Sequence, residues 1–243
     1  MRRRTLLVAA AALAAAGILG HRVLRGFWGR VTQKARSKRT VANVLGEIGP
    51  AAEERLRPHV ERAGAAWPPP RATLIGFKQE KRLELWVEKD GRRVFIRSYP
   101  VLAASGRAGP KLREGDRQVP EGVYRLTELN PNSSYHLSMR VGYPNEFDRA
   151  RAAEDGRTNL GGDIYIHGNA VSIGCLAMGD EAIEELFLMA ARTGMANVQV
   201  ILAPNDLRGG RPAADVPAAP PWVPQLYDAL RQRLDGFPRP AGS

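Results

Sequence analysis

Residues 82–103, RLELWVEKDGRRVFIRSYPVLA, decide the fold class. Leu83, Leu85 and Val87 recur at every second position, so they lie on one face of an extended chain. Val94 and Ile96 stand among arginines in the same rhythm. Between the two runs sits Asp90-Gly91, a pair that accepts positive φ at both positions and so closes a two-residue hairpin. The reading is an antiparallel pair with one buried and one wet face.

Working outward, ATLIGFK (72–78) is a further strand on the N-terminal side, and strands are expected at 122–126, 135–141 and 161–168. NVQVILA (197–203) is a last one. Between them, GDEAIEELFLMAARTG (179–194) is helical: Ile183, Leu186, Phe187 and Ala190 follow the i, i+3, i+4, i+7 spacing, acidic residues open it and Gly194 ends it. Residues 30–66 read as charged helix in two pieces, with Pro50 opening the second and WPPPR (67–71) breaking the chain. A Pro-rich stretch at 204–224 leads to a short amphipathic helix, QLYDALRQRLDG. The class is mainly β with α, an α+β fold. Its parts are an N-terminal segment 1–29, a helical segment 30–66, a catalytic-type domain 67–204, and a linker with a short helix at 205–243.

The 243 residues carry a formal net charge of +11, but ten basic and no acidic residues fall within 1–39. The remaining 26 basic residues face 25 acidic ones, so the folded part lacks the basic footprint of a nucleic-acid binder. In the N-terminal segment Arg2, Arg3 and Arg4 precede an apolar run from Leu6 to Leu19. A positive flank and a core of that length are the pattern of an export signal or N-terminal membrane anchor, which places the chain in the periplasm or cell envelope.

The chemistry concentrates in IHGNAVSIGCLAM (166–178), which holds the chain's single cysteine. Cys175 has no partner for an internal disulfide, and His167 precedes it by eight positions. A thiol attacks a carbonyl as thiolate and needs a base to become one. His167 closes a strand, and the small residues after it let the chain loop back. Gly174 frees the backbone so that the N–H groups of Gly174 and Cys175 converge as an oxyanion hole requires. The plainer reading is a small core cysteine beside a strand-end histidine. A zinc site is disfavoured: it wants at least three protein ligands, and beyond His167 and Cys175 only His136 is a further nitrogen donor in the domain, His21 and His59 lying outside it. His136 is a candidate to orient His167 or touch substrate, and Ser172 to brace the motif loop. Tyr143 and Asn145 are candidates to line a cleft, and Lys111 and Arg113 to meet a substrate carboxylate. Asp116 and Glu121 are expected to stabilise their own loop.

HGNAVSIGCLAM resembles the catalytic motif of the L,D-transpeptidase catalytic-domain (YkuD) family of bacterial cell-wall enzymes, in particular its YafK-like murein branch. GPKLREGDRQVPEGVY (109–124), LNPNSSYHLS (129–138), GYPNEFDRA (142–150) and GCLAMGDEAIEEL (174–186) extend the likeness over about 72–203. The resemblance implies a β-sandwich-like fold with one flanking helix, Cys175 as nucleophile, His167 as base, and backbone N–H groups of Ile173, Gly174 and Cys175 as oxyanion hole. No metal or organic cofactor is implied. It further implies peptidoglycan stem peptides as substrate, at bonds next to meso-diaminopimelate, through a thioester that an amine or water resolves. The sequence departs from the usual pattern where Ile173 replaces a histidine, where no arginine follows Cys175, and in a shorter base-to-nucleophile spacing. Two other readings stand beside this one: an amidase of the same acyl-enzyme type that releases a lipoprotein from diaminopimelate, and a non-catalytic peptidoglycan-binding module.

Overall fold

Asp90 and Gly91 both adopt positive φ, 50° and 73°, and close the hairpin that their side chains permit. Strands β2 (Arg82–Lys89) and β3 (Arg92–Pro100) pair antiparallel across it. On its other edge β2 pairs antiparallel with β1 (Ala72–Phe77), which in turn lies parallel to β9 (Val198–Ala203). The structure, a computed structural model, describes residues 38–171 and 174–240. The expected export segment (1–29), Ser172 and Ile173 lie outside the described residues.

The remaining strands are β4 (Ala103–Ala104), β5 (Gly122–Asn130), β6 (Ser138–Val141), β7 (Tyr165–His167) and β8 (Leu176–Ala177). All nine form one mixed sheet in the order β3-β2-β1-β9-β5-β6-β7-β8-β4. Four helices accompany it: α1 (Val41–Arg62), α2 (Glu146–Glu154), α3 (Asp180–Thr193) and α4 (Val223–Leu234). The class is the α+β one expected, with more helical cover than a single flanking helix.

Two apolar layers hold the sheet. On one face Val44, Ile48, Leu56 and Val60 of α1 and Ile183, Leu186 and Phe187 of α3 pack with Leu74, Leu83, Leu85, Val200 and Leu202. On the other, Leu226, Tyr227, Leu230 and Leu234 of α4 cover Ile75, Phe77, Trp86 and Ile201. With both faces covered, β1 and β9 are buried almost throughout, as parallel strands usually are. The wet face expected of β2 is therefore absent. Glu84 on that face is 0% exposed, and Arg208 and Arg82 neutralise it at 2.9 and 3.2 Å.

Two helices differ from expectation. The segment read as two helical pieces is one continuous α1 that runs through Pro50 and Pro58. Each proline deletes one backbone donor. The stripe at Val44, Ile48, Leu56 and Val60 still docks as one face, and a Thr40–Asn43 capping box fixes its start. Residues 145–154, read as turn, form α2. Asn145 accepts from the Asp148 N–H (2.9 Å) and the Asp148 carboxylate accepts from the Asn145 N–H (2.9 Å). From Thr40 onward the described residues belong to one compact unit, so the 67–71 break is a connection between α1 and β1 within it.

Candidate active site

β7 is the inner strand of the site. It pairs antiparallel with β6 (Ser138↔His167) and parallel with β8 (Ile166↔Leu176, His167↔Ala177). Cys175 lies in the bend that immediately precedes β8, and its sulfur reaches the Asp163 carbonyl oxygen (3.6 Å) just before β7. The pairing brings the chain at Cys175 to the strand beside β7, whose last residue is His167.

The loop between them is tied down at both ends. The Met178 N–H donates to the His167 carbonyl (2.8 Å), Gly168 N–H to Leu137 O (3.0 Å) and Gly179 N–H to Asn169 O (3.0 Å). Asp180, the first residue of α3, accepts from the Asn169 N–H at 2.7 Å. Gly168 is required by close approach: a Cβ there would stand 2.8 Å from the Tyr135 carbonyl oxygen and 2.7 Å from the Asp180 carboxylate. Gly174 is required by its backbone, which has φ +86°.

The imidazole of His167 is buried, 2% exposed. Its Nδ1 lies 2.6 Å from the Gly168 carbonyl oxygen. A carbonyl only accepts, so Nδ1 carries the proton and Nε2 is left with its lone pair. Burial holds the imidazole pKa below its ordinary value, against the opposing effect of that carbonyl. The Tyr135 ring stacks on His167 with centroids 4.6 Å apart. The Cys175 thiol is partly exposed and donates to the Asp163 carbonyl oxygen at 3.6 Å. Burial raises its pKa and the Asp163 charge adds to this, while the Tyr165 N–H and the Lys111 ammonium work the other way. Both shifts favour the neutral pair at rest, thiol and imidazole, over thiolate and imidazolium. The arrangement suits a base that takes the proton as the sulfur attacks.

The other candidates fall into three groups. The Gly174 N–H donates to the Ser105 hydroxyl, which donates to the Arg117 carbonyl (2.8 Å), so this expected oxyanion donor is occupied at rest. Ser172 and Ile173 lie outside the described residues. Arg113 is exposed and borders an open cleft of about 750 Å³ together with Arg107 and Arg157. Lys111 is instead buried in an ion pair with Asp116 (2.6 Å), and Asp116 also accepts from the Leu112, Arg113 and Gln118 N–H groups. Glu121 is buried against Lys78 (3.0 Å) and the Tyr227 hydroxyl (2.9 Å).

Tyr143, Asn145 and His136 are held by the scaffold. The Tyr143 ring is buried in the core, with its hydroxyl toward the Lys111 and Leu160 carbonyls. Asn145 is the N-cap of α2. His136 meets Glu184 at 2.9 Å, so the carbonyl of Gly168 takes the place at Nδ1 of His167. Tyr135, Ser105 and the Gly168 carbonyl had no sequence signal of their own. A backbone oxygen belongs to every residue, and the stacking of Tyr135 depends on how the 131–137 loop folds. The exposed large apolar side chains among the described residues, Leu102, Tyr135 and Val171, all border this motif. Leu102 lies against Gly179, and its N–H donates to the Ala177 carbonyl (2.9 Å).

This mixed α+β sheet, with a strand-end histidine and a cysteine just before the next parallel strand, carries the elements that the L,D-transpeptidase resemblance implies. The chain belongs to the L,D-transpeptidase catalytic domain (YkuD) family, whose model matches residues 73–201. It is 38% identical over 133 residues to "Putative L,D-transpeptidase YafK" of Escherichia coli strain K12, and equally so to that of strain O157:H7. The match covers 53% of this chain and 52% of the relative, so the chain spans about half the length of the curated relatives it matches. Among solved structures it is similar to the helical cell shape determining protein Pgp2 from Campylobacter jejuni, at 24% identity and TM-score 0.47, over 60% of this chain and 50% of that one. Mycobacterium tuberculosis L,D-transpeptidase 1 aligns at 14% identity and TM-score 0.31, over 54% and 61%.

Proposed function

We propose that the protein is a cysteine-dependent acyl-transfer enzyme of the cell envelope, acting on peptidoglycan stem peptides next to meso-diaminopimelate. The observation that carries this reading is the pairing of β7 with β8. It brings Cys175 to the strand next to the one that His167 closes, while the Gly168 carbonyl leaves Nε2 of His167 as an acceptor. In the reaction, His167 takes the Cys175 proton as sulfur attacks the peptide carbonyl. The tetrahedral oxyanion is met by backbone N–H groups at 173–175, Gly174 being released from Ser105 in that step. The protonated imidazole then gives its proton to the leaving amine, and a thioester on Cys175 remains. An amine from a second stem peptide resolves the thioester to a cross-link, and water resolves it to a free carboxylate.

Arg113 and Arg107 in the neighbouring cleft supply guanidinium forks for a substrate carboxylate. The apolar rim of Leu102, Tyr135 and Val171 supplies contact for the peptide's aliphatic parts. The N-terminal apolar segment supports an envelope location, exported or anchored, and no nucleic acid enters the reading. The second reading keeps the acyl-enzyme and makes water the acceptor, releasing a lipoprotein from diaminopimelate. It is favoured by the absence of an arginine after Cys175.

Intact-mass analysis after exposure to purified muropeptides tests both. Wild type is expected to gain the mass of an acyl fragment and Cys175→Ala to gain none. A cross-linked product in the presence of an acceptor amine selects transpeptidation, and free peptide carboxylate selects hydrolysis. Absence of any adduct together with failure of iodoacetamide to label Cys175 in the folded protein would leave only the binding-module reading.

A further inference from the structure

A second cleft, made from strands on the β1–β2–β3 side of the sheet, gathers four arginines. Arg71 precedes β1, Arg93 lies in β3, Arg125 in β5 and Arg233 near the end of α4; all four are exposed, around a half-open space of about 260 Å³. Its floor is a same-face row across four strands, Trp86↔Thr73↔Gln199↔Arg125. No residue of β6, β7 or β8 borders it.

The charges there are largely uncompensated. Glu88 is the one acidic residue in the lining, 3.8 Å from Arg71. The other three guanidiniums are held in place by neutral groups. Arg125 donates to the Ala196 carbonyl (2.6 Å), and Arg233 donates twice to the Gln199 side-chain oxygen (3.2 and 2.9 Å). Arg93 lies over the Phe237 ring at 4.3 Å, against Gly236, where a Cβ would overlap its terminal nitrogen. Among the described residues none of these three makes an ion pair with a carboxylate. Each guanidinium has five donors, and these bonds use only one or two of them. Like charges brought together by neutral anchors repel one another, and an anion placed among them relieves that repulsion.

We infer that this cleft binds a phosphate-bearing anion. A carboxylate offers two oxygens in one plane and is satisfied by a single fork. Guanidiniums that arrive from β1, β3, β5 and α4 approach from several directions, which suits a tetrahedral group carrying up to two charges and three or more acceptor oxygens. The volume lies just below the usual range of roughly 300–1,000 Å³ for small-molecule sites, so the ligand is a phosphoryl group with at most a small polar head. Phe237 and Trp86 supply the apolar wall for the head's carbon atoms. The ligand is thus a free phosphate ester or the glycerophosphate head of an anionic lipid, which share this chemistry.

The test is calorimetric titration of the full chain in neutral detergent with inorganic phosphate, glycerol 3-phosphate, dihexanoyl phosphatidylglycerol and succinate. Glycerol 3-phosphate is expected to bind more tightly than succinate, and the double variant Arg125→Ala/Arg233→Ala to weaken it by about tenfold or more, the loss of charge-assisted bonds. Tighter binding of the lipid than of glycerol 3-phosphate identifies a membrane head as the source, and the reverse order a soluble ester. Melting temperature and iodoacetamide labelling of Cys175 are expected to stay at wild-type values in the double variant. If it fails to fold, Arg71→Gln/Arg93→Gln carries the same expectation. Equal affinity for succinate, or phosphate binding that survives both double substitutions, overturns the proposal.

Discussion

In the proposed reaction the base is His167, and its tautomer is set by a backbone oxygen. With Nδ1 bound to the Gly168 carbonyl, the ring presents Nε2 as acceptor. Burial keeps it unprotonated to lower pH than an ordinary histidine. The acid limb of the rate profile should therefore fall below pH 6.5, the usual imidazole value. The same depression affects stability. The unfolded chain takes up the proton first as pH falls, so this contribution is present above about pH 6.5 and is lost as pH drops through the folded-state pKa. His167→Gln should lower the acylation rate by about 10²–10⁴ and flatten the stability loss between neutral and mildly acidic pH. Rates from stopped assays and melts across pH would show both. A variant that keeps the wild-type acid limb would assign the base elsewhere. Cys175 and His167 were legible in the sequence because their side chains carry the chemistry. The Ser105 hydroxyl bound to Gly174 was not, since nothing local distinguishes that serine from any other in a loop.

At the scale of elements, α2 shows how a capping box outweighs turn composition. The sequence GYPN looks like turn chemistry, yet Asn145 and Asp148 satisfy each other's N–H and start a helix. Asp148 is largely buried against the Tyr124 hydroxyl, and burial raises its pKa to about 6. A carboxyl with a raised folded pKa favours folding fully below its unfolded value, near 3.9, and loses that advantage as pH rises through about 6. At pH 7.5 the buried charge thus costs roughly 2–3 kcal/mol. Asp148→Asn keeps an acceptor for the Asn145 N–H and removes the charge. It should stabilise the protein by about that amount at pH 7.5 and have almost no effect at pH 4. Urea melts at the two pH values measure it, and an equal gain at both would exclude ionisation as the cause. The hairpin at Asp90-Gly91 and the amphipathic α3 could be read from their residues because turn chemistry and helical spacing are local signals. The continuity of α1 through two prolines could not, since it rests on docking against α3 and the sheet.

On the scale of the whole molecule, the C-terminal segment belongs to the core. Arg208 is 3% exposed and bridges Glu84 of β2 (2.9 Å), Asp206 (2.7 Å) and the Phe237 carbonyl (3.2 Å), which joins the sheet to the chain after α4. Arg82 and Arg239 also approach Asp206, each at 3.4 Å. Replacing Arg208 by Met removes the central cation and leaves Glu84 and Asp206 buried with less compensation. Such a change typically costs about 3–5 kcal/mol. The expected result is a lower melting temperature and early proteolysis after residue 204. A melt unchanged from wild type would mean the segment is held by α4's apolar face alone. On the opposite face, Arg55 of α1 reaches Glu184 (2.7 Å) and Glu185 (3.2 Å) of α3, and Glu184 also holds His136. The N-terminal helix is thereby tied to the loop that carries Tyr135 over His167.

By itself the sequence determined the strand-and-helix alphabet and the α+β class, and singled out the two side chains on which the proposed reaction rests. These follow from periodicity, turn residues and the reactivity of a thiol near an imidazole, all properties of short stretches of chain. Only the tertiary structure decided that both faces of β2 are covered, which oxygen fixes the tautomer of His167, and where the arginines of four separate elements converge. Each of those depends on residues far apart in the chain, and their distances are set by packing and strand register.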